Sequence, residues 1–358
     1  MASKTFLKTV RLVSVLALSS SVLTACDPPM PPEALAALAE ATFTCVDGDT
    51  QYAYAPEVAD GVDYLAQNLT MNCPGMTMTP SDFATAQLVA SSVATDGPGS
   101  EAYASVPYAV ESGVFVITSS AGASAVLSPK TIQGILSGSI VEWSDPQIVA
   151  DNGGIAPLEG ALVLAGPAQA EAVEALATWY QHYTGKTLEH NLDVSRAVTI
   201  ADYESLPEGS IAFMPGAVFT QLSNVALVTP MAASILVDPT NFPMGATPDL
   251  ISVQSAASQW KVKKSSSSID VSMDWTAKAV PPAGFDVAPA PYQIIYPVYL
   301  RLFGSDNLGA RATARYLLRQ DSQGSLTLVS GLPVTVRAEA LAFVSEGLPE
   351  PTPPPATE

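Results

Sequence analysis

The chain has 358 residues, of which 48% are hydrophobic and 14% charged, so it is apolar enough to exclude global disorder and long enough for two domains. Its 34 acidic and 15 basic side chains give a formal net charge of −19. Such an acidic surface repels nucleic acids and anionic lipids, and both are therefore excluded as partners.

The first 26 residues predict a secretion signal of the bacterial lipoprotein type. Three basic residues come first, at positions 4, 8 and 11, and an apolar run follows at 12–18. The sequence Leu-Thr-Ala-Cys then ends at Cys26, where small residues suit a signal peptidase and the cysteine sulfur takes the lipid. The apolar run is too short to remain as a membrane-spanning helix. An ordinary cleaved signal followed by an unrelated cysteine is the alternative.

Removal of residues 1–25 leaves a mature chain of 333 residues with 12 basic and 34 acidic side chains, a net charge of −22. This chain is expected to start at lipidated Cys26 and to be anchored extracytoplasmically, on the outer face of the bacterial cytoplasmic membrane. Residues 26–40 are rich in proline and alanine and predict a tether. Residues 346–358 contain five prolines and predict a disordered tail.

Two cysteines remain after lipidation, Cys45 and Cys73. Outside the cytoplasm, they are expected to form one disulfide. The alternative is a Cu(I) site, because Met71, Met76 and Met78 flank Cys73 and offer soft sulfur ligands. The disulfide interpretation is preferred, with the methionines filling the core and no metal or cofactor bound.

Hydrophobic spacing and capping residues predict alternating strands and helices, which is typical of an α/β fold. Helices are expected at 57–69, at 81–89 with Ser81 as the cap, from Ser128 onwards, and at 168–183, 307–320 and 335–345. Strands are expected at 106–118, 162–164, 210–214, 225–229 and 292–303. The polar run 261–270 predicts a surface loop.

The order of several motifs resembles the periplasmic phosphate-binding protein of ABC importers. The most specific is Trp143-Ser144-Asp145-Pro146, which matches a Trp-x-Asp-Pro turn of that family. The other matching stretches are 106–117, 127–138, 209–213, 292–298 and 314–331. The resemblance extends loosely over residues 43–345.

This resemblance implies two α/β lobes, each a mixed sheet flanked by helices, joined by a two-strand hinge that closes around a ligand. The implied first lobe comprises residues 41–120 and 236–345, and the second lobe residues 121–235. The implied function is an extracytoplasmic solute-binding lipoprotein that delivers phosphate or another small solute to an ABC permease. A non-transporting sensor or an envelope-assembly scaffold on the same fold is the alternative.

The resemblance fails at the anion site. Where the family has Arg-Ser-Asp-Gly-Ser-Gly-Thr, residues 165–171 are Ala-Gly-Pro-Ala-Gln-Ala-Glu, so the arginine and the hydroxyls are absent. Glu171 falls in the first turn of a predicted helix, where the helix dipole stabilises a carboxylate. A phosphate beside it would be repelled, so our hypothesis is that Glu171 fills the anion position. The alternative is a first-turn acid that faces solvent.

The remaining ligand residues are assigned only by the resemblance. Ser92 stands where the family has an aspartate that accepts the proton of hydrogen phosphate. The full predicted set is Asp49, Thr50, Ser81 and Ser92 from one lobe and Gln169, Ala170 and Glu171 from the other. A site without the arginine and the aspartate is not expected to select phosphate.

No motif indicates an enzyme. Neither His182 nor His190 belongs to a catalytic constellation in the sequence. The run 184–187 resembles the end of a nucleotide-binding loop but lacks the required glycine, and Ser258-x-x-Lys261 lacks the companion motifs of penicillin-binding enzymes. We therefore expect a binding protein without catalytic activity.

Overall fold

The structure is a computed structural model that describes residues 45–119, 122–231, 246–282 and 284–349. The predicted signal peptide, the lipidation site Cys26, the tether and residues 350–358 of the predicted tail lie outside these ranges. In the described part of the chain, no helix is both long and apolar enough to cross a membrane.

Strands and helices alternate along the described chain. The helices are α1 (Ala59–Asn72), α2 (Pro129–Leu136), α3 (Pro146–Asp151), α4 (Ala170–Thr184), α5 (Gly216–Phe219), α6 (Leu250–Ala257), α7 (Leu308–Leu317), α8 (Gln320–Gln323) and α9 (Val334–Val344). The strands are β1 (Gly48–Tyr54), β2 (Met76–Pro80), β3 (Leu88–Ser91), β4 (Ala104–Thr118), β5 (Ala125–Leu127), β6 (Val163–Leu164), β7 (Pro167–Gln169), β8 (Asp193–Ser195), β9 (Ser210–Pro215), β10 (Val225–Pro230), β11 (Trp260–Lys264), β12 (Ile269–Met273), β13 (Ile295–Leu302) and β14 (Ser330–Gly331). Single 3₁₀ turns occupy Pro56–Val58 and Ile200–Asp202.

One mixed sheet contains ten of these strands, in the order β2-β1-β3-β13-β4-β10-β5, with β14 and β9 also paired to β4, and β6 paired to β9. The long strand β4 divides the sheet into two parts. Its residues 104–112 pair with β13, and we call this part, with β1, β2, β3 and β14, the first half-sheet. Its residues 113–118 pair with β9 and β10, and we call this part, with β5 and β6, the second half-sheet.

Strand β4 therefore connects the two half-sheets, and this agrees with one of the two crossing strands that the sequence resemblance implies. All of its residues except Ser105 are buried, which explains why its sequence is nearly continuously apolar. The second expected crossing falls near residues 232–245, outside the described part of the chain. The lobe boundaries given above stay a prediction.

The turn that resembles the phosphate-binding family is a structural anchor of the second half-sheet. Trp143 is fully buried, and its indole Nε1 donates a hydrogen bond to the Gly209 carbonyl oxygen at 2.8 Å. Nearby, Ser128 caps α2 as predicted by accepting a hydrogen bond from the Thr131 backbone N–H. The Trp143 hydrogen bond ties the turn before α3 to the residue that precedes β9.

The predicted helix at 81–89 is wrong. Residues Leu88–Ser91 form strand β3, which lies between β1 and β13. All four residues of this strand are buried, so it shows no alternation of apolar and polar residues. A short apolar run of this kind fits a buried strand and a helix equally well, and periodicity alone does not separate them.

The predicted surface loop at 261–270 is also wrong. Strands β11 and β12 form an antiparallel hairpin, and only residues 265–268 are its turn. Lys261 and Lys263 are exposed, whereas Val262 between them packs against the core. The charged residues therefore belong to the solvent face of a two-faced strand rather than to a loop.

The predicted disulfide is confirmed. Cys45 and Cys73 are bonded, with their Cα atoms 5.5 Å apart, and the bond ties the chain before β1 to the residue after α1. Because Cys73 is used in this bond, it is not a free thiolate for Cu(I), and Met71 is exposed while Met76 is buried. The described residues contain no group of three or more His, Cys, Asp or Glu placed to hold a metal.

Candidate functional site

A cleft of about 370 Å³ lies between helix α4 and the β11–β12 hairpin, above strand β13. Its walls therefore come from elements attached to both half-sheets. The helix contributes Glu171, Glu174, Ala175 and Thr178, which share one face because their spacing is three, four and seven residues. The hairpin side contributes Trp260, Val271, Ser272, Met273 and Trp275, and the floor is Ser92 with Gln293, Ile295, Tyr296, Pro297 and Tyr299.

Three of the predicted site residues are brought together at this cleft. Ser92 and Glu171 line it, and the buried side chain of Gln169 donates from Nε2 to Ser92 Oγ at 2.8 Å. Gln169 precedes α4, whereas Ser92 follows β3, so this buried hydrogen bond links the start of α4 to the floor of the cleft. The Tyr296 hydroxyl donates to Gln169 Oε1 at 3.5 Å and extends the network to β13.

Ser92 has no donor left for a solute, because both of its donors point to Glu57. Its hydroxyl donates to Glu57 Oε1 at 3.1 Å and its backbone N–H donates to the same oxygen at 3.4 Å. Glu57 lies in the 3₁₀ turn that follows β1. Burial raises the pKa of Glu57, whereas the hydrogen bonds from Ser92 act in the opposite direction. A carboxyl group of the protein thus accepts both hydrogen bonds that Ser92 donates.

Glu171 faces the cleft rather than open solvent, but it does not accept the Ser92 donors. Its Oε2 is buried and has no hydrogen-bond partner among the described residues. Burial raises the pKa of Glu171, and the charges of Asp96 and Glu174 raise it further, while its own backbone N–H and the Gln169 side chain lower it. Glu171 thus lines the cleft while Glu57 accepts both hydrogen bonds from Ser92, and the hypothesis that Glu171 fills the anion position stays a prediction.

A further carboxyl group, Glu111, lies behind the cleft floor on β4. It is fully buried, its Oε1 accepts from the Ser112 backbone N–H at 2.6 Å, and its carboxyl also faces the Ala217 N–H at 3.3 and 3.4 Å. Burial, followed by the charge of Glu57, raises the pKa of Glu111 to about 8. This carboxyl is therefore protonated near neutral pH.

Arg301 on β13 is buried and does not line the cleft, but its Cζ lies 5.9 Å from the ring centroid of Tyr299 on the floor, and its charge interacts with Glu171. Its Nη1 donates to the carbonyl oxygens of Val93 and Asp96 at 2.7 and 3.4 Å, and its Nη2 donates to the Ser91 carbonyl oxygen at 3.1 Å. Arg301 therefore fixes the loop that follows β3. None of the residues that line the cleft is Lys, Arg or His.

The structure does not bring the other predicted residues to the cleft. Asp49 and Thr50 lie near the start of β1, and Tyr54 at its end lies about 16 Å further along the strand. Asp49 accepts from the hydroxyls of Thr77 and Thr79, and the buried Thr50 hydroxyl contacts the hydroxyl of Thr313.

Two more predicted residues do not line the cleft. Ser81 follows the edge strand β2 and bonds locally to Thr85. Ala170 starts α4 and lies next to the cleft without contributing to its lining. As ligand residues, all four remain predictions that their positions do not support.

The comparison with known proteins gives structural neighbours only. No family model matches the chain, and no curated protein matches it. One neighbour is a protein from Clostridium perfringens that was solved with bound phosphate and assigned to the substrate-binding proteins of phosphate ABC transporters. It is 11% identical with a TM-score of 0.47, and the match covers 80% of this chain and all of that protein. An ABC-type phosphate transport receptor from Vibrio cholerae is 10% identical with a TM-score of 0.43, covering 77% of this chain and 96% of its own. A phosphate-binding protein from Stenotrophomonas maltophilia is 14% identical with a TM-score of 0.44, covering 83% of this chain and 94% of its own.

These neighbours are of the family that the sequence motifs resemble. At such low identity, a ligand does not transfer from them to this chain.

Proposed function

We propose that the protein is an extracytoplasmic solute-binding lipoprotein, anchored through Cys26, that holds a small solute other than phosphate and delivers it to an ABC permease. The observation that carries this proposal is the cleft between α4 and the β11–β12 hairpin. Its volume of about 370 Å³ falls in the range typical of small-molecule sites, roughly 300–1,000 Å³. We assign no reaction to it.

The exclusion of phosphate follows from charge and hydrogen bonding. The Ser92 donors are used by Glu57, and Glu171 and Glu174 place two carboxylates on the cleft wall. A phosphate in this cleft would meet like charges without a lining cation to offset them, and such repulsion is large in a partly desolvated site.

The Gln169–Ser92 hydrogen bond gives specific support to the second candidate, a non-transporting sensor or envelope-assembly scaffold. That bond is buried and already links the start of α4 to the cleft floor, which belongs to the first half-sheet. In this candidate the side chains of the protein itself hold the cleft closed, and no solute is carried.

Native mass spectrometry of protein purified without denaturation tests the two candidates. The proposal predicts an added mass of a small solute that disappears when the protein is denatured. The Thr178→Trp variant, which places an indole in the cleft from an exposed position of α4, should lose this added mass. The Gln181→Trp variant is the matched control, because Gln181 is exposed on the same helix but does not line the cleft.

An unliganded spectrum for the wild-type protein would contradict the transport proposal and favour the scaffold. An added mass that both tryptophan variants retain would show that the solute binds elsewhere. Equal thermal melting temperatures for the two variants would exclude misfolding as the cause of the loss.

A further inference from the structure

The cleft has an aromatic wall that the resemblance to phosphate-binding proteins does not explain. Trp260 starts β11, Trp275 follows β12, and Tyr296 and Tyr299 lie on the floor. The Trp275 ring is stacked on His182, with ring centroids 4.1 Å apart and an angle of 7° between the planes. This stacking fixes the orientation of Trp275, so the wall is held in place before a solute arrives.

The opposite wall carries negative charge. Glu171 and Glu174 lie in the first two turns of α4, and Glu171 Oε2 is a buried acceptor without a hydrogen-bond partner in the described part of the chain. Leaving such an acceptor unpaired is unfavourable, and a donor on a solute would offset that cost. Partial burial lowers the pKa of His182, which favours the uncharged form of its ring.

Resting on the proposed solute-binding function, we propose that this cleft takes a small organic cation, a protonated amine or a guanidinium, between its aromatic wall and Glu171. Aromatic faces attract cations through their negative quadrupole, and tryptophan does so most strongly. A carboxylate oxygen without a partner prefers a cation that has N–H groups, because such a cation neutralises the charge and supplies the missing donor. A quaternary ammonium ion satisfies the aromatic wall but not Glu171.

Titration of the full-length mature protein tests this proposal, with tryptophan fluorescence and calorimetry as readouts and agmatine, putrescine and tetramethylammonium as probes. Agmatine or putrescine should bind one-to-one, and tetramethylammonium should bind at least about tenfold more weakly because it lacks N–H donors. Glu171→Gln should weaken the better probe by roughly tenfold or more, the loss of a charge-assisted hydrogen bond. Trp260→Leu should weaken the affinity for the same probe by about fivefold, because it removes one cation–π contact.

Glu204→Gln is the matched control, because Glu204 is exposed and does not line the cleft. The affinity of this variant for agmatine or putrescine should equal that of the wild type. Equal affinity in the Glu171→Gln and Glu204→Gln proteins, or no binding of agmatine and putrescine to the wild type, would overturn the proposal. If agmatine and putrescine do not bind, mass spectrometry can still detect a neutral or anionic solute that is lost in the Thr178→Trp protein. That result would overturn the cation proposal and support the solute-binding function. A cleft that holds no solute at all would refute both.

Discussion

Replacing Glu111 with glutamine is expected to remove a large part of the pH dependence of the free energy of unfolding between pH 5 and 8. The pKa of Glu111 is raised to about 8 in the folded protein, from an ordinary value of 4.5. Between these values the folded protein holds a proton on Glu111 that the unfolded chain has released. The contribution of Glu111 to the free energy of unfolding of the wild type is therefore greatest below pH 4.5. It falls by about 1.4 kcal/mol per pH unit as the pH rises towards 8.

Urea denaturation at pH 5, 6.5 and 8 measures this effect as the difference between Glu111→Gln and the wild type. Glutamine is the nearest neutral analogue of the protonated carboxyl, so the variant should gain stability relative to the wild type by several kcal/mol, on the order of 1.4 kcal/mol per pH unit, as pH rises. Other carboxyl groups are present in both proteins and largely cancel in the difference. The same series with Glu204→Gln should give a flat difference. A flat difference for Glu111→Gln as well would contradict the protonated state assigned to this residue.

The second large effect is expected from the disulfide. Replacing Cys45 and Cys73 with serine should reduce the free energy of unfolding by roughly 3–4 kcal/mol, because the bond closes a loop with a sequence separation of 28 residues and restricts the unfolded chain. Urea denaturation of the double variant at constant pH measures the loss.

The control for this measurement is the wild-type protein treated with a reductant. Reduction should lower the stability of the wild type to that of the double variant and leave the double variant unchanged. A double variant as stable as the oxidised wild type would show that the bond does not constrain the unfolded state in this way.

Much of the fold could be predicted from the sequence where local signals agree with burial. The continuous apolar run of β4, the Ser128 cap of α2 and the helix after Gln169 all appear at or near the expected positions. Strand β3 could not be predicted, because four buried residues carry no periodicity. The β11–β12 hairpin was missed because its exposed lysines and serines hide the alternation of the buried face.

The candidate site was predicted only in part. Gln169 and Glu171, which align with the anion motif of the family, both lie at the cleft, and their role as ligand residues stays a prediction. For the first lobe, the resemblance implies Asp49 and Thr50 as ligand residues, whereas the turn beside Ser92 is Pro56–Val58. One sequence signal could have pointed to Glu57. Pro56 and Glu57 come shortly after strand β1, and a proline followed by an acid is typical of the first turn of a helix.

The aromatic wall of the cleft could not be found from sequence. Trp260, Trp275 and Tyr296 are brought together by the pairing of β11 with β12 and by the position of β13 in the sheet. Such contacts between distant segments depend on tertiary structure, and no local spacing encodes them.

Isothermal titration of the mature protein with inorganic phosphate at neutral pH tests the central claim most directly, namely that carboxylates of the protein itself have replaced the anion site. Because Glu57 uses both Ser92 donors and Glu171 and Glu174 line the cleft, we predict no one-to-one binding of micromolar or tighter affinity. Saturable phosphate binding with micromolar affinity, lost in the Thr178→Trp protein, would contradict this account of the site.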